Sequence, residues 1–121
     1  MFYALRIGFL VFALMGVKAV QAENPVFLSV LDDVPLMAGL SETVDDTVYF
    51  DTPGGRIVES YAVGNVSQES VLTYYKDSLP SLGWQRTAHG TYMREGESLE
   101  VSVKMEGKTA LVRFALSPKK K

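Results

Sequence analysis

Positions 99–105 alternate strictly: Leu99, Val101, Val103 and Met105 on one side, Glu100, Ser102 and Lys104 on the other. That period of two is the pattern of a strand with one face buried and one wet. The next run repeats it, with Ala110, Val112, Phe114 and Leu116 in phase across 109–116, and "EGK" between the two runs is a tight loop. Upstream, Val48, Tyr49 and Phe50 favour a strand and 56–63 resumes one. "DTPGG" between them reads as a hairpin turn, with Pro53 fixing φ and Gly54 or Gly55 free to take φ > 0. The runs 84–88 and 91–95 flank the turn residues His89 and Gly90.

Between these strand patterns lies a helix. Ser67 is its N-cap, Glu69 complements the dipole in the first turn, and Val66 and Val71 have hydrophobic-staple spacing. Val71, Leu72, Tyr75 and Leu79 share a face, with Tyr74 at its flank. Pro80 stops the regular helix near Leu79, and Gly83 suits a left-handed cap before Trp84 opens the next strand. The expected order is β-β-α-β-β-β-β. Short connections make neighbouring strands antiparallel, and one helix covers one sheet face: an α+β two-layer domain over 47–118.

Residues 23–46 show neither period. Val26 to Leu31 reads as a short helix or an edge strand, and "VPLMAGL" as an extended piece with a turn. The segment is too apolar for a free linker, so this leader either packs on the domain or presents an apolar patch to a partner. Residues 1–22 have the signal-peptide pattern: Arg6 early, an apolar run from Ile7 to Val17, then Val20 and Ala22 at the small-residue positions before a cut after Ala22. The apolar stretch of at most 17 residues contains Arg6 and falls short of the about 20 that a spanning helix needs. Retention of that helix as a single-span membrane anchor is the alternative.

Composition narrows the function. The chain has no cysteine, so neither a disulfide nor a lipid-modified cysteine is available and the core alone must hold the fold. Removing 1–22 takes Arg6 and Lys18 from the 12 basic residues, leaving 10 against 14 acidic ones, a net charge of −4. Three of those ten are the 119–121 tail, a basic run read as a solvated terminus. An acidic domain repels phosphate backbones, which argues against nucleic acid as a partner.

No catalytic constellation is legible. One histidine and no cysteine exclude the usual zinc sites, and His89 sits in a turn where a solvated surface role is the expectation. Asp32-Asp33 and Asp45-Asp46 lack calcium-loop spacing; Asp45, Asp46 and Asp51 could converge at one end of the hairpin on a weakly held hard cation, against the expectation of a solvated loop. "DTPGGRIV" is followed by a strand rather than a helix, so it is a turn and not a phosphate cradle; Arg56 then sits at a strand edge, within reach of Glu59 or Asp51. No cofactor is expected. The candidate contact residues are Tyr74 with Trp84, as a stacking platform for a sugar or a peptide, and Val34, Leu36, Met37 and Leu40 of the leader. Core packing is the competing reading for both.

The phrase "VSQESVLTYYKDSLPSLGWQR", with "GRIVESYAVG" before it and "RFALSP" after it, resembles a helix–Pro–x–x–Gly–Trp–strand signature of small uncharacterised exported proteins of Gram-negative bacteria. The resemblance covers 47–118 and carries no catalytic residue. It implies a periplasmic envelope protein. The expected function is therefore an exported, non-enzymatic module that binds a protein or another envelope component, through the leader or an exposed sheet edge. The other readings are a membrane-anchored accessory subunit and, with least support, a small hydrolase built on carboxylates or serines distant in the chain.

Overall fold

The computed structural model describes residues 26–119. The expected signal segment, 1–22, and the last two lysines lie outside the described residues. Seven strands form one antiparallel sheet: β1 (Ser41–Glu42), β2 (Val48–Thr52), β3 (Gly55–Gly64), β4 (Gln85–Ala88), β5 (Thr91–Arg94), β6 (Glu97–Glu106) and β7 (Thr109–Pro118). One helix, α1 (Gln68–Ser78), joins β3 to β4. The expected α+β architecture is present, with one strand more than the pattern predicted. That strand, β1, is too short for alternation to register.

The spatial order is β1-β3-β7-β6-β5-β4, with β2 also pairing β3. β1 and β2 lie end to end on the same edge of β3: Glu42 faces Ala62, and Val48 faces Glu59. Between them a short 3-10 turn, Val44–Asp46, bulges out of the edge. β3 and β7, far apart in the chain, pair from Val58–Leu116 to Gly64–Ala110, and the hairpins β4 to β7 complete the sheet.

Period two sorts the side chains into an inner and an outer face. The inner face buries Val58, Ala62, Tyr92, Leu99, Val101, Ala110, Val112, Phe114 and Leu116. α1 packs on it through Val71 and Tyr75, and the Tyr75 ring meets Phe114 edge-on at 5.3 Å. The helix starts as the sequence indicates: Ser67 Oγ accepts from the Ser70 amide at 3.0 Å. It ends in a 3-10 turn, Leu79–Leu82, where Gly83 takes φ 95° and the Trp84 amide donates back to the Leu79 carbonyl.

The leader is part of this core. Leu28, Leu31, Val34 and Leu40 are all buried. The segment's last six residues supply β1 and the 3-10 turn, and the rest, 26–40, is neither helix nor strand. It is a loop closed by the Phe27–Pro35 bridge and by Leu28 N–H donating to the Val34 carbonyl at 3.0 Å. It docks through four polar contacts: Tyr75 Oη with Pro35 and with Met37, Asp33 with Arg94, and the Ser29 amide with Glu42 of β1 at 3.0 Å. The packed unit therefore includes residues assigned from sequence to an extended leader.

Candidate functional site

The contact residues chosen from sequence do not form an accessible surface. Trp84 is 1 % exposed, and the Arg94 guanidinium lies 4.7 Å above its ring. Tyr74 is half-buried and packs edge-on against Tyr75 at 4.8 Å. The two do not form a stacking platform. Val34 and Leu40 are buried, and Leu36 and Met37 pack against the same core, because the leader closes over the helix rather than standing away from it. Arg56 pairs with Glu97, Nε to Oε2 at 2.8 Å, and not with Glu59 or Asp51. β2 and β3 hold Asp51 opposite Arg56, yet the long side chain reaches across β7 to β6 instead.

The exposed large apolar side chains gather elsewhere. Among the described residues four of the five, Val44, Val48, Tyr49 and Phe50, lie on the bulge and on β2, each 42–56 % exposed; the fifth, Val26, is in the leader. β2 pairs β3 on one side only, so the outward-pointing amides and carbonyls of Val48–Thr52 have no strand partner among the described residues. Such an edge templates a further strand. The opposite edge, β4, is a different surface: four residues, Gln-Arg-Thr-Ala, all exposed and carrying a charge, which is the usual protection against edge pairing.

Register places Val48 and Phe50 on the outer face, in line with Glu59 and Ile57. Among the described residues no helix packs on this face. At its centre Arg113 Nη2 donates to Glu59 Oε2 at 2.8 Å and its Nη1 lies 3.8 Å from Glu100, while the Tyr61 hydroxyl donates to Glu59 Oε1 at 2.8 Å. The Tyr61 hydroxyl and then Arg113 hold the Glu59 carboxyl below its ordinary value. Towards β1 the outer face is concave, a hollow of about 510 Å³ with Tyr61, Val63, Leu111 and Lys104 on its floor and Thr43 and Asp46 of the bulge on its rim. Apolar edge, ionic centre and hollow are continuous.

Asp45 and Asp46 are exposed on the bulge and Asp51 on β2. Among the described residues no three acidic or histidine side chains converge as a metal site would require. Among the described residues Ser60 is the one buried polar residue, and its hydroxyl donates to Glu42 at 3.2 Å. The part of this site that sequence could have indicated is the Val-Tyr-Phe triplet of β2. Its position on an unpaired edge follows only from the β3–β7 pairing.

No protein-family model, no curated protein and no solved structure matches this chain.

Proposed function

We propose that this chain is an exported, periplasmic, non-enzymatic domain that binds an extended segment of another envelope protein along β2. One observation carries the reading: among the described residues the sheet has two free edges, one polar and charged, the other apolar and unpaired over Val48–Thr52. A binding strand would gain main-chain hydrogen bonds from the edge and seat alternate side chains beside Val48 and Phe50. Asp45, Asp46 and Asp51 line this edge and β2 holds no basic residue, so the complementary segment is apolar with lysine or arginine at its flanks. A second copy is the poorer occupant, since it would set two acidic edges together. Export is supported by the charged, apolar and small-residue succession of 1–22.

The test combines capture from an envelope fraction with hydrogen exchange on the captured complex. Binding should slow exchange at the amides of 48–52, and Val48→Lys with Phe50→Lys should abolish capture while leaving the fold intact. Capture that survives the double substitution, or protection confined to other strands, overturns the reading. Protection of 48–52 in the purified protein alone, rising with its own concentration, would instead identify self-pairing. Mass spectrometry of the protein from cells addresses export: a start at Glu23 is expected, and a start at Met1 would replace the periplasmic domain with a membrane-anchored one.

A further inference from the structure

One helix of 11 residues, about 10 Å across, cannot cover a seven-stranded sheet whose strands lie about 4.8 Å apart. The leader fills part of the remainder. Over β4 and β5, beside the N-terminal half of α1, the inner face stays open as a cleft of about 550 Å³. Glu69, Leu72 and Lys76 form its helix wall, Arg86 and His89 the opposite wall, and Tyr92 its floor.

Arg86 owes its place to a β-bulge. It pairs in register with Tyr92, whereas Ala88 pairs with Thr91, so Thr87 is the extra residue. Without that bulge, alternation would put Arg86 and Ala88 on the same face; with it, Arg86 stands with Tyr92 on the inner side. Its chemistry is also singular. Arg56, Arg94 and Arg113 are each ion-paired, to Glu97, Asp33 and Glu59. Arg86 pairs with no carboxylate among the described residues. Its Nη2 lies 3.5 Å from His89 Nδ1, and its guanidinium adjoins the Tyr92 hydroxyl. Lys76 likewise has no ion-pair partner among the described residues.

Two cations with no ion-pair partner among the described residues, on facing walls of one cleft, suit an oxyanion, and the planar fork of Arg86 suits a carboxylate or phosphate held by two parallel hydrogen bonds. Glu69 on the helix wall disfavours a bare polyanion and offers an acceptor for a neutral donor. Leu72 and the Tyr92 ring give the site an apolar side. We infer that this cleft binds a small hydroxylated oxyanion through Arg86 and Lys76, with Glu69 accepting from a ligand hydroxyl. The site lies at the β4 edge, across the sheet from β2, so it does not depend on the strand-binding reading.

The test is a titration of the 15N-labelled protein, followed by backbone and arginine Nε resonances, with citrate, with inorganic phosphate and with glycerol, at ionic strength fixed by sodium chloride. Citrate or phosphate should give saturable shifts confined to Lys76, Arg86, His89 and Tyr92, with a Kd on the order of 1 mM or tighter. Saturation by citrate alone assigns a carboxylate ligand, by phosphate alone a phosphate one. Arg86→Gln should weaken binding at least about tenfold, and Lys76→Gln, on the other wall, should weaken it too; both side chains are exposed, so the fold is retained. Shifts that do not saturate, that persist unchanged in Arg86→Gln, that spread equally to Arg56 and Arg113, or that glycerol reproduces would overturn the inference.

Discussion

The hydroxyl of Tyr75 donates to the carbonyl of Pro35 at 2.7 Å and accepts from the Met37 amide at 3.2 Å. One phenol thus ties the middle of α1 to the leader, in a place where the tyrosine is fully buried. Tyr75→Phe keeps the ring against Phe114 and removes only the oxygen. The Pro35 carbonyl and Met37 amide then lose their shared partner, so the fold should lose about 1–3 kcal/mol. Chemical denaturation measures the loss, and faster exchange at Leu36 and Met37 should accompany it. An unchanged midpoint would mean that water replaces the hydroxyl without cost.

The same burial makes this tyrosine an alkaline liability. Loss of solvation raises the Tyr75 phenol well above its ordinary value of 10.0, and the Met37 amide opposes this only in part. In the unfolded chain the proton leaves first. Above about pH 10 the native state therefore binds more protons than the unfolded one, and stability falls as pH rises. The slope from one such group is about 1.4 kcal/mol per pH unit until the folded phenol itself titrates. Unfolding midpoints between about pH 9 and 11 should fall more steeply for the native protein than for Tyr75→Phe. Tyr92, also raised chiefly by burial, leaves a residual slope in the variant.

Local features of this fold are written in the sequence, and long-range ones are not. Ser67, Pro80 and Gly83 set the ends of the helical region by rules that act within a few residues, and alternation placed the inner faces of β6 and β7 correctly. The leader has no period because it is a loop whose buried residues, Leu28, Leu31, Val34 and Leu40, each answer to a different distant neighbour. Trp84, a candidate for a stacking platform with core packing as the competing reading, is buried, and the residue that covers it, Arg94, arrives from the next hairpin. Arg86 faces inward because of a bulge, and a bulge breaks the very alternation by which faces are read. Arg56 finds Glu97 41 positions away, past two acids much nearer in the chain. For the binding edge, the apolarity of Val48–Phe50 was visible, but not which strand would be left without a neighbour.

Gly64 shows how close the leader comes. A Cβ there would lie 2.1 Å from the Gly39 carbonyl oxygen and 3.1 Å from Leu40 Cα. Both obstacles are backbone, so no rotamer change relieves them. Gly64→Ala should push the leader off the end of β3 and cost about 1–3 kcal/mol, as overpacking does. Gly54, in the β2–β3 turn, is the control: its nearest neighbour would be a threonine hydroxyl at 3.9 Å, and alanine there should change stability by less than about 0.5 kcal/mol. Equal effects at the two glycines would show that lost chain flexibility, not the close approach, governs both.

Arg94 holds the other end of the leader. Its Nη2 donates to Asp33, its Nη1 donates to the Leu82 carbonyl at 3.0 Å, and its plane covers Trp84. The ion pair is about three-quarters buried on both sides, with side-chain exposures of 22 % and 23 %, so solvent screens it less than a surface pair. Arg94→Met preserves bulk over the indole but strands the Asp33 carboxylate and the Leu82 carbonyl, an expected loss of about 1–3 kcal/mol. Asp33→Asn alone should cost less, because the amide oxygen still accepts from the guanidinium. If the pair acts as a unit, the double variant will be more stable than the sum of the two single losses predicts, with a coupling of about 0.5 kcal/mol or more in a double-mutant cycle by urea unfolding. Strict additivity would assign the role of Arg94 to Trp84 and Leu82 alone, and Arg94→Lys separates these contributions further, since an ammonium can satisfy Asp33 but cannot also lay a flat guanidinium over the indole.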